Sequence, residues 1–257
     1  MGDIYKVKTF LRIFAKYFQG FLMATLKCFH FNALQTTCSV VSPDGGGRCV
    51  IVDPGMTTAS EQEKLCQYLS GAGLIPEAIL LTHGHFDHIF GVAALLDRYA
   101  GLPVYMHPAE RKNVRIAPSY ACYIEGCDIR NDFPTVDIAD GQTLSLAGLS
   151  IQVIATPGHA PGGVCYYFPE DGLLLSGDTL FAGAIGRSDL PGGDYDDLIR
   201  SVMDRIMVLP GDVEVIPGHG PATTIGREAM TNPFLVPFNE PDTSSRDDGD
   251  PLILERE

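Results

Sequence analysis

The 257-residue chain carries 18 Lys plus Arg against 32 Asp plus Glu, a formal charge of −14. That balance excludes a nucleic-acid binder working through a basic face, yet it allows an anionic substrate beside a bound cation, whose charge reverses the local field. With 45% apolar and 19% charged residues, the composition is ordinary for a globular protein long enough to bury a core without disulfide staples.

The first stretch, residues 1–24, sets Lys6, Lys8, Arg12 and Lys16 among Val7, Phe10, Leu11, Phe14, Tyr17, Phe18 and Phe21. Spacings of three and four put the apolar residues on one face of a basic amphipathic helix. Such a helix packs on the body, lies on a membrane surface, or precedes a start at Met23. The apolar run is too broken for a membrane span, and Lys16 interrupts any secretory core. No integral membrane segment and no cleaved signal are therefore expected. Seven cysteines, an odd number without a CxxC pair, read as small buried hydrophobes. They fit a reducing compartment, the cytoplasm.

Residues 25–238 form the body. KCFHF, TTCSVVS and RCVIVD read as consecutive strands, with the turn PDGGG between the second and third. SEQEKLCQYLS (60–70) reads as a helix with capping-box spacing at Ser60 and Glu63. AILLT (78–82) is a continuous apolar strand, 89–100 the next helix and 102–107 the next strand. Residues 108–140 read as irregular. TLSLA, SIQVIAT, GVCYYF and LLLSG are strands again, Asp194 caps a helix running to Leu209, VEVIPG is a last strand, and a short helix follows near Gly226. Residues 239–257 are an acidic, solvated tail. No GxGxxG opens a helix after the first strand, so a dinucleotide site is not supported. Two mixed sheets face to face, with helices outside, accommodate this order.

The chemistry concentrates where AILLT ends, at Thr82-His83-Gly84-His85-Phe86-Asp87-His88. His83 and His85 are two apart, so in an extended segment they point to one side. Asp87 and His88 are thrown elsewhere as a helix begins, and one loop can present ligands to two neighbouring ions. Three more candidates lie at strand ends among glycines: His159 in TPGHAPGG, Asp178 in SGDTLF and His219 in PGHGP. Seven candidates converging on one sheet edge suggest a binuclear metal site.

In this order, HxHxDH, PGH, SGD and PGHGP resemble the metallo-β-lactamase-fold hydrolase superfamily. VDPG (52–55), FAGAIGRSDLPGGD (181–194) and TTIGREAMTNPF (223–234) are similar to its glyoxalase II-like, hydroxyacylglutathione hydrolase-like branch. The resemblance implies an α/β fold, a four-layer αβ/βα sandwich with the metals at one edge. It implies one ion on His83, His85 and His159, a second on Asp87, His88 and His219, and Asp178 bridging. The ions would be two divalent metals, zinc first and iron or manganese as alternatives. The implied reaction is attack of a metal-bridging hydroxide, oriented by Asp87, on the acyl carbonyl of a small-molecule thioester. A thiolate leaves without a general acid because its pKa is only ~8.5.

Asp53 and Asp189 are candidates for holding ligand imidazoles in the right tautomer, and Arg187, Tyr120 and Arg115 for contacting substrate. The β-lactam-cleaving members fit less well, since they typically have Cys where this chain has Asp178. Full glyoxalase II enzymes carry a further C-terminal helical domain for glutathione, and only about forty residues follow His219 here. Two rival classes stand beside the thioesterase. One is a persulfide dioxygenase holding a single iron on His83, His159 and Asp178. The other is a non-catalytic binding protein, which a degenerate ligand set would mark.

Overall fold

A computed structural model describes residues 24–121 and 129–236. The amphipathic start up to residue 23, the Cys122 and Cys127 pair and the acidic tail lie outside the described residues. The first six-stranded sheet runs β1 (Ala24–Phe31), β2 (Thr36–Pro43), β3 (Gly47–Val52), β4 (Leu74–Leu80), β5 (Val104–Met106) and β6 (Val136–Asp137), in that spatial order. β1, β2 and β3 pair antiparallel, and β3 through β6 pair parallel. The second sheet holds β7 (Thr143–Leu146), β8 (Leu149–Ala155), β9 (Val164–Phe168), β10 (Leu173–Gly177), β13 (Glu214–Pro217) and β14 (Thr223–Thr224), ordered β14-β13-β10-β9-β8-β7. A small hairpin, β11 (Leu180–Phe181) with β12 (Ala184–Ile185), follows β10.

Strand alternation explains the layering. In β3, Val50 and Val52 face the second sheet and pack with Leu80, Val153, Tyr166, Phe168 and Leu175. Their neighbours Cys49 and Ile51 face outward, against Leu65 and Leu69 of α1 (Ala59–Gly71) and Leu95 of α3 (Val92–Arg98). α2 (Phe86–Ile89) and α4 (Arg111–Ala121) complete that outer layer. On the far side, Cys165, Tyr167 and Leu174 meet Leu198 and Ile199 of α5 (Tyr195–Arg200), Val202 and Ile206 of the π-helical turn continuing it, and Ile225 of α6 (Ile225–Thr231). Three apolar cores thus separate four layers, the αβ/βα sandwich. No described helix is long and apolar enough to cross a membrane.

Two local expectations are corrected. The α1 cap is Thr58 with Glu61, not Ser60 with Glu63. Both pairs have the spacing, but the Glu61 carboxylate also accepts from the backbone N–H of Thr57 (2.8 Å) and of Asn32 (2.7 Å), donors that Glu63 lacks. Residues 108–140 are not wholly irregular, because α4 forms despite Pro118 inside it. Proline cannot donate to the carbonyl four residues back. The Asn131 side-chain amide does so instead, donating to the Val114 carbonyl at 2.7 Å.

The two sheets are tied together at one rim. Val164 N–H donates to the Thr82 carbonyl (2.9 Å) and Thr37 N–H to the Gly218 carbonyl (2.7 Å). The Tyr166 hydroxyl crosses the core to the Leu81 carbonyl at 2.8 Å. Tyr166→Phe keeps the packing and removes that bond. A loss of about 1 kcal/mol is expected in urea unfolding, with an unchanged denaturant slope; no loss would mean the crossing bond adds nothing.

Candidate metal centre

β3 and β4 run parallel, and so do β8, β10 and β13, the first two through their shared antiparallel neighbour β9. The C-terminal ends of all five gather at the tied rim. Asp53 leaves β3, Thr82 and the His83–His88 segment leave β4, His159 follows β8, Asp178 follows β10 and His219 follows β13. All seven ligand candidates meet there. His83, His85 and His159 offer atoms within 4.8 Å of one another, as do Asp87, His88 and His219. Asp178 lies between the groups, its oxygens 3.4 Å from His88 Nε2, 3.6 Å from His159 Nε2 and 3.6 Å from His219 Nε2.

The orientation of each ring follows from its outer nitrogen. His159 Nδ1 faces the Arg187 carbonyl at 2.7 Å and His219 Nδ1 the Leu34 carbonyl at 3.0 Å. A carbonyl only accepts, so both Nδ1 atoms carry the proton. His88 Nδ1 donates to the Asp53 carboxylate at 3.0 Å. The Thr82 hydroxyl spends its hydrogen on Asp53 (2.6 Å) and so accepts from His83 Nδ1 (3.0 Å). Four Nε2 lone pairs therefore point inward, the tautomer a metal ligand needs. Among the described residues, His83 Nε2, His88 Nε2 and Asp178 Oδ1 are buried with no hydrogen-bond partner. Orphaned acceptors of this kind are costly unless a cation meets them. The donor set fits divalent metal.

The local electrostatics agree. Burial, with the neighbouring imidazoles, pushes His83 well below its ordinary value and His85 down to about 4. Burial would lower His88 too, but Asp87, Asp178 and Asp53 outweigh it and raise the imidazole; burial likewise opposes His219, which Asp87 and Asp178 raise. Burial opposes ionisation of Asp87 and Asp178, yet His88 and the surrounding hydrogen bonds hold both carboxyls below the usual range. The carboxylates thus call for positive charge at His88 and His219, while His83 and His85 stay neutral.

The remaining candidates divide. Asp53 sits under His88 and, through Thr82, under His83. Asp189 holds no ligand imidazole: its exposed carboxylate accepts two hydrogen bonds from the Arg187 guanidinium (2.7 and 2.8 Å), and the Arg187 carbonyl orients His159 instead. Tyr120 and Arg187 line the cleft above the ligands. Arg115 does not; it lies exposed on another face of α4.

Three partners carried no motif. The Thr36 hydroxyl donates to Asp87 at 2.7 Å. The Asn32 amide donates to the Gly55 and Asp87 carbonyls. Glu110, fully buried, accepts from Gly84 N–H (2.7 Å), Gly162 N–H (2.6 Å) and the Asn113 amide (2.9 Å). It therefore joins the His83–His88 loop to the loop carrying His159. Backbone approach also explains Gly218, where a Cβ would fall 2.2 Å from Asp178 Oδ1.

The sequence matches the metallo-beta-lactamase superfamily over residues 31–222. It is 34% identical to the hydroxyacylglutathione hydrolase GloC of Haemophilus influenzae, over 79% of this chain and 94% of that protein. The crystal structure of the BLEG-1 B3 metallo-beta-lactamase superposes with a TM-score of 0.75 at 39% identity, covering 82% of this chain and 99% of that one. TTHA1623 in a di-iron-bound form gives a TM-score of 0.72 at 42% identity, covering 81% and 100%.

Two outcomes follow from this geometry. Glu110→Ala leaves two buried backbone N–H groups without an acceptor and is expected to cost about 3 kcal/mol in urea unfolding; a loss near zero would deny the clamp. In metal-stripped protein, His85 stays neutral when folded down to about pH 4 but protonates near 6.5 when unfolded. The unfolded chain therefore binds more protons between those values, and stability falls as pH drops through that window, on the order of 3 kcal/mol from His85. His88 and His219 are shifted upward, away from that window, and do not offset it. Urea titrations from pH 7 to 4 check this; a flat profile, or one unchanged in His85→Ala, contradicts it.

Proposed function

The chain belongs to the metallo-beta-lactamase superfamily, and from that premise we propose that it is a metal-dependent hydrolase of thioesters, glyoxalase II-like in its chemistry. The observation carrying the reading is the convergence of His83, His88, His159 and His219 on Asp178 at the floor of an open cleft, with His83 Nε2, His88 Nε2 and Asp178 Oδ1 buried and unpartnered among the described residues. In this reading His83, His85 and His159 would hold one ion and Asp87, His88 and His219 the other, with Asp178 available to both. The ions are zinc or iron, iron being what TTHA1623 carries in its di-iron form. When bound, they supply Lewis acidity and bring the pKa of a coordinated water toward neutrality.

The protein's own residues do the rest. Asp87, held by Thr36 and ionised, is placed to orient the attacking water. Asp53 keeps the outer nitrogens of His88 and, through Thr82, of His83 occupied, so their lone pairs stay aimed. Of the titratable side chains lining the cleft among the described residues, every His and Asp belongs to the candidate ligand set, leaving Tyr120 and Arg187. A leaving group that departs without protonation suits such a site, and a thiolate does so. The likeness to GloC supports the same substrate class. Free thiols at Cys28, Cys38, Cys49, Cys66 and Cys165 suit a reducing compartment such as the cytoplasm.

The 39% identity to BLEG-1 favours β-lactam cleavage as a second reading. Both are tested by metal quantification of purified protein with a panel of S-lactoylglutathione, other thioesters, a β-lactam and a persulfide with oxygen uptake. Two ions and thioester turnover are expected. One iron with persulfide-dependent oxygen uptake, or β-lactam turnover alone, would replace the reading. Asp178→Ala is expected to lose turnover by at least about a thousandfold together with metal; full metal content and normal rates would remove Asp178 from the centre.

A further inference from the structure

The cleft above the ligands encloses about 610 Å³, ample for a small molecule. Its walls are apolar. Ile116 and Tyr120, one helical turn apart on α4, form one side. Phe86 stacks against Tyr120 with ring centroids 6.5 Å apart. Phe181 and Ile185 of the β11–β12 hairpin form the opposite side, and Leu34, 46% exposed, stands at the mouth.

Apart from the candidate metal ligands, few polar side chains among the described residues line these walls: Asn113, Tyr120 and Arg187. Arg187 is the one cation lining the cleft among the described residues, and both its hydrogen bonds go to Asp189. Asn113 gives its amide to Glu110. On the same helix, Arg111 pairs with Asp137, and Lys112 and Arg115 are exposed outside the cleft. Glutathione presents two carboxylates and one ammonium, and recognising the carboxylates calls for cationic forks.

Resting on the thioesterase reading above, we propose that this cleft selects thioesters of apolar alkyl or aryl acids on a small uncharged thiol carrier, and does not read the charged ends of glutathione. Apolar walls discriminate by buried area, so each methylene that enters contributes by its transfer from water. Specificity then grows with acyl length until the walls are filled, and is indifferent to carrier charge.

The test uses two series of probes that cannot be hydrolysed, S-alkyl thioethers of N-acetylcysteamine and of glutathione with two to eight carbons. Binding to the metal-loaded full chain is measured by calorimetry. Affinity is expected to rise about fourfold per methylene, with the glutathione series binding no tighter than the uncharged series at equal length. Ile116→Ala, at a half-exposed position, is expected to weaken the octyl probe about tenfold. Arg187→Ala should leave the ratio between carriers within about twofold. A flat dependence on length, a tenfold preference for glutathione, a preference lost in Arg187→Ala, or wild-type octyl binding in Ile116→Ala would each overturn the proposal. Thioester turnover measured alongside separates the two levels. Length-dependent binding with no turnover of any thioester sinks the hydrolase reading and upholds the cleft. S-lactoylglutathione turned over faster than every apolar thioester upholds the hydrolase and sinks the cleft.

Discussion

Each of four imidazoles in this protein has its outer nitrogen committed to a fixed acceptor: His83 to Thr82, His88 to Asp53, His159 to the Arg187 carbonyl and His219 to the Leu34 carbonyl. That commitment decides the tautomer, and the tautomer decides that four lone pairs share one small volume with the carboxylates of Asp87 and Asp178. Such a cluster is unfavourable in itself, because like partial charges face one another away from water. The scaffold sustains it by gathering the carboxyl ends of five strands at a rim where the two sheets are bonded to each other. The orphaned atoms are the price of readiness for cations.

The same rim explains why residues far from the ligands matter. Glu110 has no access to the cleft's contents, yet it joins the backbones of both loops that carry the first ligand group. Glycine at 84 and 162 permits the approach. A Cβ at Gly84 would fall 3.0 Å from the Glu110 carbonyl oxygen, and one at Gly162 would fall 2.6 Å from His107 Nδ1. The apolar walls belong to other segments, so the holding of ions and the shaping of the substrate space rest on largely separate parts of the chain.

The ligand set was legible because its members are rare residue types at strand ends, flanked by glycine, five of the seven histidines among them. Asp53 was legible through VDPG. The layers followed from alternating and helical apolar spacing, as in Cys49 to Val52 and in Leu198, Ile199, Val202 and Ile206. What escaped was tertiary. Glu110, Thr36 and Asn32 are single polar residues whose partners lie 26, 51 and 55 positions away, and no local pattern marks them. Pro118 argued against a helix because its rescuer, Asn131, comes from the irregular segment before β6. Asp189 stands beside the site in sequence, but its neighbour Arg187 captures it. The Thr58 cap prevailed over Ser60 through donors from β1's end, again a contact invisible to spacing.

Leu34 occupies two roles at once. Its carbonyl fixes the ring of His219 while its side chain borders the opening of the cleft. Surface turns ordinarily absorb insertions and drift. This one cannot lengthen without moving the acceptor that fixes the His219 ring, so any evolutionary retuning of what the cleft admits is channelled to α4, which can be rebuilt while that ring stays put.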